Sequence, residues 1–162
     1  MNILAINGSP RKKWNTAMLL GSALEGAAAA GATTKLVHLY DSTYKGCISC
    51  FECKRLGGKN YGQCAVKDEL RPLLAEAAAA DALIIGTPVY FGAETGETRS
   101  FMERLLFPYL TYTPGYASIF PRKIPTALIY DMNVSEAAIV ERQYDSFIER
   151  ARGFMERTFG AC

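Results

Sequence analysis

Short apolar runs alternate with helical patterns along this chain, and that alternation limits the fold more than any other feature. Asn2–Asn7 is an apolar run closed by Gly8, and residues 33–40 alternate and are rich in β-branched and aromatic side chains. Residues 82–86 and 125–130 are short apolar runs between turn residues. Runs of this kind suit strands buried on both faces of a parallel sheet. Between them, Ala17, Leu20, Leu24 and Ala27 recur at helical spacing, and Gly31 ends the segment. Asp68 reads as the N-cap of an alanine-rich helix reaching Ala80, residues 95–107 read as a third helix, and 135–159 as one long fourth. The alanine runs at 27–30 and 77–80 read as helix surface packed closely on a sheet. The order β-α-β-α-β-α-β-α predicts an α/β domain with a parallel sheet and right-handed crossovers.

Length and charge narrow the class. A chain of 162 residues suits one domain, read here as 1–162, and a hydrophobic share of 49% is too high for a disordered protein. A net charge of +2 gives no footprint for nucleic acid. No apolar run approaches the length of a membrane helix, and the first residues lack the basic start and cleavage site of an export signal. The expectation is a cytoplasmic protein with no nucleic-acid or membrane partner, in a compartment where its five cysteines stay unbridged.

Open α/β sheets bind ligands beyond the carboxyl ends of their strands, so the residues after each strand matter most. After the first strand come Gly8, Ser9, Pro10, Arg11, Lys12, Lys13, Trp14, Asn15 and Thr16, and then a helix. Free backbone N–H groups at a helix start favour an anion. Ser9 and Thr16 add hydroxyls, Asn15 an amide, and Arg11 a guanidinium fork matched to phosphate oxygens. The Walker A pattern and the G-x-G-x-x-G fingerprint are both absent here, so Asp41 is not read as a ribose-binding acid. After the third strand come Thr87, Pro88, Val89, Tyr90, Phe91 and Gly92. A proline, two aromatics and a glycine at a strand exit make an apolar wall with exposed amides, suited to a planar heteroaromatic ring. The competing reading is an ordinary hairpin-like loop.

Taken in order, Gly8-Ser9-Pro10-Arg11-x-x-x-Asn15-Thr16 and Thr87-Pro88-Val89-Tyr90-Phe91-Gly92 resemble the two flavin loops of the NADPH-dependent FMN reductase and iron–sulfur flavoprotein group. The resemblance runs from Met1 to about Arg104 and weakens beyond. It implies a flavodoxin-like doubly wound sheet binding FMN. The phosphate would lie at Ser9, Pro10, Arg11, Asn15 and Thr16, and the ring against Thr87, Pro88, Val89, Tyr90, Phe91 and Gly92. It also implies an oxidoreductase that takes electrons from NAD(P)H and passes them to a small-molecule acceptor or a redox partner protein. The alternative is a flavin electron carrier with no NAD(P)H activity of its own, although flavodoxins proper are acidic. The redox chemistry would be the flavin's, so no side chain is assigned as catalytic. Members of this group are commonly dimers or tetramers, so a homo-oligomer is expected, with residues 107–121 as the contact.

Four cysteines, Cys47, Cys50, Cys53 and Cys64, follow a C-x2-C-x2-C-x10-C pattern inside the long connection 41–67. Thiolates at such spacing can hold an iron–sulfur cluster or zinc, and a metal would tie down a connection this long. The resemblance places a compact cysteine motif here and implies a 4Fe–4S cluster. It departs at Cys64, which lies further on than that motif, and free thiols are the competing reading. A third alternative makes the cysteines the point of a metal- or thiol-based redox sensor. Cys162 is isolated and gets no role. His38, the lone histidine, reads as a sheet-face residue. A flavodoxin-like sheet has five parallel strands in the order 2-1-3-4-5. Only four are readable, so the fifth is expected to be missing from this chain. Further chain or another subunit would then cover strand four.

Overall fold

The computed structural model describes residues 1–162. Its sheet contains β1 (Asn2–Asn7), β2 (Thr33–His38), β3 (Ala82–Tyr90), β4 (Ala93–Glu94), β5 (Ile124–Asp131) and β6 (Gly160–Ala161). The parallel strands lie in the order β2-β1-β3-β5-β6, and β4 folds back antiparallel on the end of β3. Setting the hairpin strand aside, this is the 2-1-3-4-5 order expected from the sequence. The expectation of a missing fifth strand is corrected: Gly160 and Ala161 pair in parallel with Ile124 and Pro125, so that position is filled, by two residues.

Alternation along β1 explains the two layers. Leu4 and Ile6 join Leu83 and Ile85 in the larger core, closed by Leu70, Leu73 and Leu74 of α2 (Leu70–Ala79), Phe101 and Leu105 of α3 (Gly96–Leu106), and Met155 and Phe159 of α5 (Tyr144–Phe159). Ile3 and Ala5 point the other way, onto Leu20 and Leu24 of α1 (Asn15–Ala29). Both faces of β1 are thereby covered, as its unbroken apolar run requires.

Two helical expectations shift. The single helix over 135–159 is two, α4 (Glu136–Glu141) and α5. Gln143 breaks them with a left-handed backbone, φ 55. The break brings Tyr144 against Gly92 and stacks Phe147 edge-on to Tyr130, 5.4 Å between centroids. The buried stripe of α5 is therefore Ala151, Met155, Thr158 and Phe159, while Val140 and Phe154 are exposed. The N-cap position of α2 is Glu69, one residue after the expected Asp68, whose carboxylate is held by Arg104.

Residues 107–121 form an aromatic loop that packs in two directions. Tyr109 and Phe120 join Phe159. Phe107 and Tyr112 meet Phe51 of the cysteine segment. No helix of the structure is long and apolar enough to cross a membrane.

Candidate functional site

The carboxyl ends of β1, β3 and β5 lie side by side, with Asn7 opposite Gly86 and Pro88 opposite Asp131. Asn7 is fully buried and ties the first turn together. Its Oδ1 accepts from the Ser9 amide at 2.9 Å, and its Nδ2 lies 2.8 Å from His38 Nδ1. The Ser9 hydroxyl in turn accepts from the Arg11 amide at 3.1 Å. The chain then enters α1 through Trp14, where no side chain caps the helix. The first-turn amides therefore remain available to an anion. Ser9 and Thr16 are buried, and Pro10, Arg11 and Asn15 are exposed. The Arg11 guanidinium lies 4.7 Å from the centroid of the exposed Trp14 ring, and Lys12 pairs with Asp41.

Three buried threonines bind this loop to the neighbouring one. Thr95 caps α3 and gives its hydroxyl proton to Gly8 O at 2.8 Å. Thr98 Oγ1 lies 2.8 Å from Thr95 Oγ1 and donates to Thr87 Oγ1 at 3.2 Å. The packing is close enough that a Cβ on Gly8 would sit 1.8 Å from Thr98 Oγ1. Only glycine fits there without displacing the network.

The second loop is a tight hairpin. Val89 pairs with Glu94 and Tyr90 with Ala93, leaving Phe91 and Gly92 as the turn. Both turn residues have positive φ, 52 and 76, as in a type I′ turn. Thr87 and Pro88 are buried, Tyr90 is half-exposed, and the Phe91 ring stands entirely in solvent. Tyr130 closes the base of the hairpin by donating to Glu94 Oε1 at 2.8 Å, and burial and that carboxylate raise its phenol well above the usual range. On the other side burial and Glu97 push Tyr40 up to about 12. Hollows of about 200 and 360 Å³ lie away from the two loops, beside the cysteine segment.

One residue ties both ends of that segment. Arg104 of α3 is 1% exposed and donates in several directions. Nη1 and Nη2 grip Asp68 at 2.5 and 2.8 Å, Nη1 also reaches Lys45 O at 3.0 Å, and Nε reaches Cys64 Sγ at 3.3 Å. Lys45 precedes the first cysteine and Asp68 follows the last, so one guanidinium closes the connection at both ends. Lys54 adds contacts to the carbonyls of Phe107 and Leu110. Cys47, Cys50, Cys53 and Cys64 line one small hollow. Cys53 is buried, which pushes its thiol up, while Cys47 and Cys50 are exposed. All four are free thiols, and no three metal-binding side chains come close enough together to hold a metal ion. The structure thus gathers the sequence-predicted ligands around one space without assembling them as ligands.

A family model described as NADPH-dependent FMN reductase matches residues 1–121, which span both loops and the cysteine segment. The chain belongs to this family. An iron–sulfur flavoprotein of Methanocaldococcus jannaschii is 35% identical over 104 residues, covering 64% of this chain and 51% of that protein. Another from Archaeoglobus fulgidus is 38% identical over 104 residues, covering 64% and 48%. The chain spans about half the length of these curated relatives. Among solved structures, an NAD(P)H:quinone oxidoreductase from Methanothermobacter marburgensis superposes with a TM-score of 0.75 at 15% identity, covering 99% of this chain and 80% of that one. An FMN-dependent NADH-azoreductase from Bacillus anthracis gives 0.66 at 13%, covering 97% and 81%. At those identities the likeness establishes the flavodoxin-like fold.

In this member of the NADPH-dependent FMN reductase family, the sequence-predicted flavin residues do converge at one end of the sheet. Several residues beside them carried no sequence signal. Thr95 and Thr98 look like ordinary helix-start residues, and only the tertiary fold shows that they tie two loops together. Asp131 ends a strand and reaches Asn15 and Thr16, both at 3.5 Å. Its place after the fourth long strand was the available clue, because ligand sites in this fold follow strand ends.

Proposed function

We propose that this chain binds FMN at the crevice between the β1–α1 loop and the β3–β4 hairpin, and serves an NAD(P)H-dependent oxidoreductase. The observation that carries this reading is the uncapped start of α1, flanked by Ser9, Asn15 and Thr16 and placed beside an exposed aromatic hairpin. Family membership and the fold support it. The residues present fit the group: α1 offers free amides, Gly8 permits a close turn, and the loop carries hydroxyl, amide and guanidinium donors. Ser9, Arg11, Asn15 and Thr16 would hold the phosphate, with Pro10 shaping the turn. Thr87 and Pro88 would form the floor under the ring, Val89 and Gly92 would set the hairpin, and Tyr90 and Phe91 would cover an apolar face.

Bound FMN supplies the redox chemistry, accepting hydride from the nicotinamide and delivering electrons to an acceptor such as a quinone. The chain's own residues bind and orient. The threonine network fixes the distance between phosphate loop and ring loop, and the hairpin aromatics exclude water from the ring. With no second nucleotide motif, donor and acceptor would use the same flavin face in turn. An iron–sulfur cluster is the finer reading. The relatives carry that name, and four thiols are the right donors in kind and number, but their side chains are not arranged as ligands. No step is therefore routed through a cluster. The exposed aromatics Tyr90 and Phe91 also favour a homo-oligomer in which a second copy shields the flavin.

The test is a pair of titrations. Arg11→Ala removes one charge-assisted contact, worth about 1.5–3 kcal/mol. FMN should weaken roughly 10- to 150-fold while riboflavin binding is unchanged. Equal losses for both flavins would place the phosphate elsewhere. A visible spectrum of anaerobically purified protein, with iron and sulfide analysis, separates flavin alone from flavin plus cluster.

A further inference from the structure

A carboxylate sits where the phosphate is expected. Asp131 is the last residue of β5, in register with Pro88, so it belongs to neither ligand loop. Its Oδ1 accepts from Asn15 Nδ2 and its Oδ2 from Thr16 Oγ1, each at 3.5 Å. Those two side chains are half of the polar set assigned above to the phosphate. Thr16 is buried and Asp131 half-buried, so that contact is set by the packing of β5 on α1, while Asn15 reaches the carboxylate from the exposed side.

The local cations leave this carboxylate uncompensated. Lys12 is engaged with Asp41, and the Arg11 guanidinium lies over Trp14. No ion pair of the chain includes Asp131. A phosphate that takes the Asn15 and Thr16 donors comes within a few ångströms of the carboxylate now using them. Like charges at that range oppose each other strongly when partly shielded from water.

We propose that Asp131 sets the affinity and the selectivity of the phosphate site. Without a ligand it holds Asn15 and Thr16 in the orientation an anion needs. With a phosphomonoester bound it competes for the same donors and repels the dianion, so that the ligand can leave. This rests on the phosphate reading of residues 9–16. It adds a residue from a different strand, acting against binding. A flavin without a phosphate does not experience the effect.

The experiment titrates FMN and riboflavin into the flavin-free full chain, as wild type, Asp131→Asn and Asp131→Thr. Both replacements keep an oxygen acceptor and remove the charge, and two variants guard against one that fails to fold. FMN should bind about tenfold more tightly to the variants, with riboflavin unchanged. The gain should shrink in about 1 M salt, where the screening length is only about 3 Å. If wild type prefers FMN over riboflavin but the variants bind FMN equally or more weakly, the role given to Asp131 is wrong and the phosphate site stands. Tightening of both flavins alike would also overturn it, because the effect would not act through the phosphate. If wild type and both variants all bind FMN and riboflavin equally, the phosphate reading itself fails, and this proposal with it.

Discussion

The phosphate loop and the cysteine segment both leave the carboxyl end of a strand in the same sheet, and they are held in opposite ways. The phosphate loop is short and braced by near neighbours: Asn7 binds Ser9, Ser9 binds Arg11, and the threonines of the next loop close on Gly8. The cysteine segment is long and its hollow is bordered by exposed thiols, yet its two ends meet on a single buried guanidinium. A site built from many short-range bonds survives the loss of one of them. A loop whose two ends share one remote residue loosens at both when that residue is removed. The first region is ordered throughout, and the second is ordered at its roots and open at Cys47 and Cys50.

Removing the clasp breaks this comparison most severely. Arg104→Met leaves the Asp68 carboxylate without its partner, and truncating a buried ion pair on one side costs about 3–5 kcal/mol. Chemical denaturation should show that loss. Amide exchange should accelerate across residues 46–63, while the amides of 8–16 keep their protection in the protein that remains folded. Uniform loss of protection in both regions would mean that Arg104 supports the whole fold equally.

The corresponding change in the other region is Gly8→Ala. The new Cβ collides with Thr98 Oγ1 at 1.8 Å, and overpacking of this kind costs about 1–3 kcal/mol. Thr98→Ala removes the obstructing hydroxyl. The double variant should therefore recover part of the loss, and the coupling read from the four-protein cycle should be favourable. Strict additivity would show that the threonine network does not confine Gly8.

Acid separates the regions more gently. The Arg104 hydrogen bond holds the Asp68 carboxyl below its ordinary value of 3.8. A carboxylate depressed in the folded state adds stability above its unfolded pKa, and that part is lost as pH falls through the folded one. Stability measured from pH 5 downward should thus fall less steeply in Asp68→Asn than in wild type, with the difference confined to pH values below about 4. An identical acid slope in the two proteins would show that the pair makes no net ionic contribution.

Much of the β1–α1 turn was legible because its residues are consecutive. A strand, a glycine, small polar residues and a helix start lie within one stretch, and a phosphate-binding loop needs little else. The parallel α/β sheet followed from alternation, and the strand order from the family resemblance. Other features depend on partners distant in sequence. Asp68 has the chemistry of a helix cap, and only the tertiary fold shows that its carboxylate is held by the buried Arg104 of another helix. The break at Gln143 carries no glycine or proline to announce it. It exists because Tyr144 and Phe147 pack on the hairpin and on Tyr130. The cysteine spacing is plain in the sequence, whereas whether the thiols converge depends on the backbone path of the long connection.

The smallest expected effect is the most discriminating one, and it lies at Phe91. A fully exposed aromatic gains nothing from the core, and its left-handed φ of 52 is one that side chains other than glycine, asparagine and aspartate adopt at a cost. Folding alone would place asparagine before Gly92, the preferred pair for a type I′ turn. Phe91→Asn should therefore stabilise the protein by about 0.5–1 kcal/mol. An aromatic kept at such a position points to binding, as strained residues at ligand sites commonly do. The same variant should weaken FMN and riboflavin by equal factors, because the ring they share loses its cover. That pattern is the reverse of Arg11→Ala, which should weaken FMN alone. Thermal unfolding and paired flavin titrations on the one variant check both halves. A rise in stability with no change in flavin binding would show that the hairpin tip lies outside the site, and that Tyr90 and Pro88 alone face the ring.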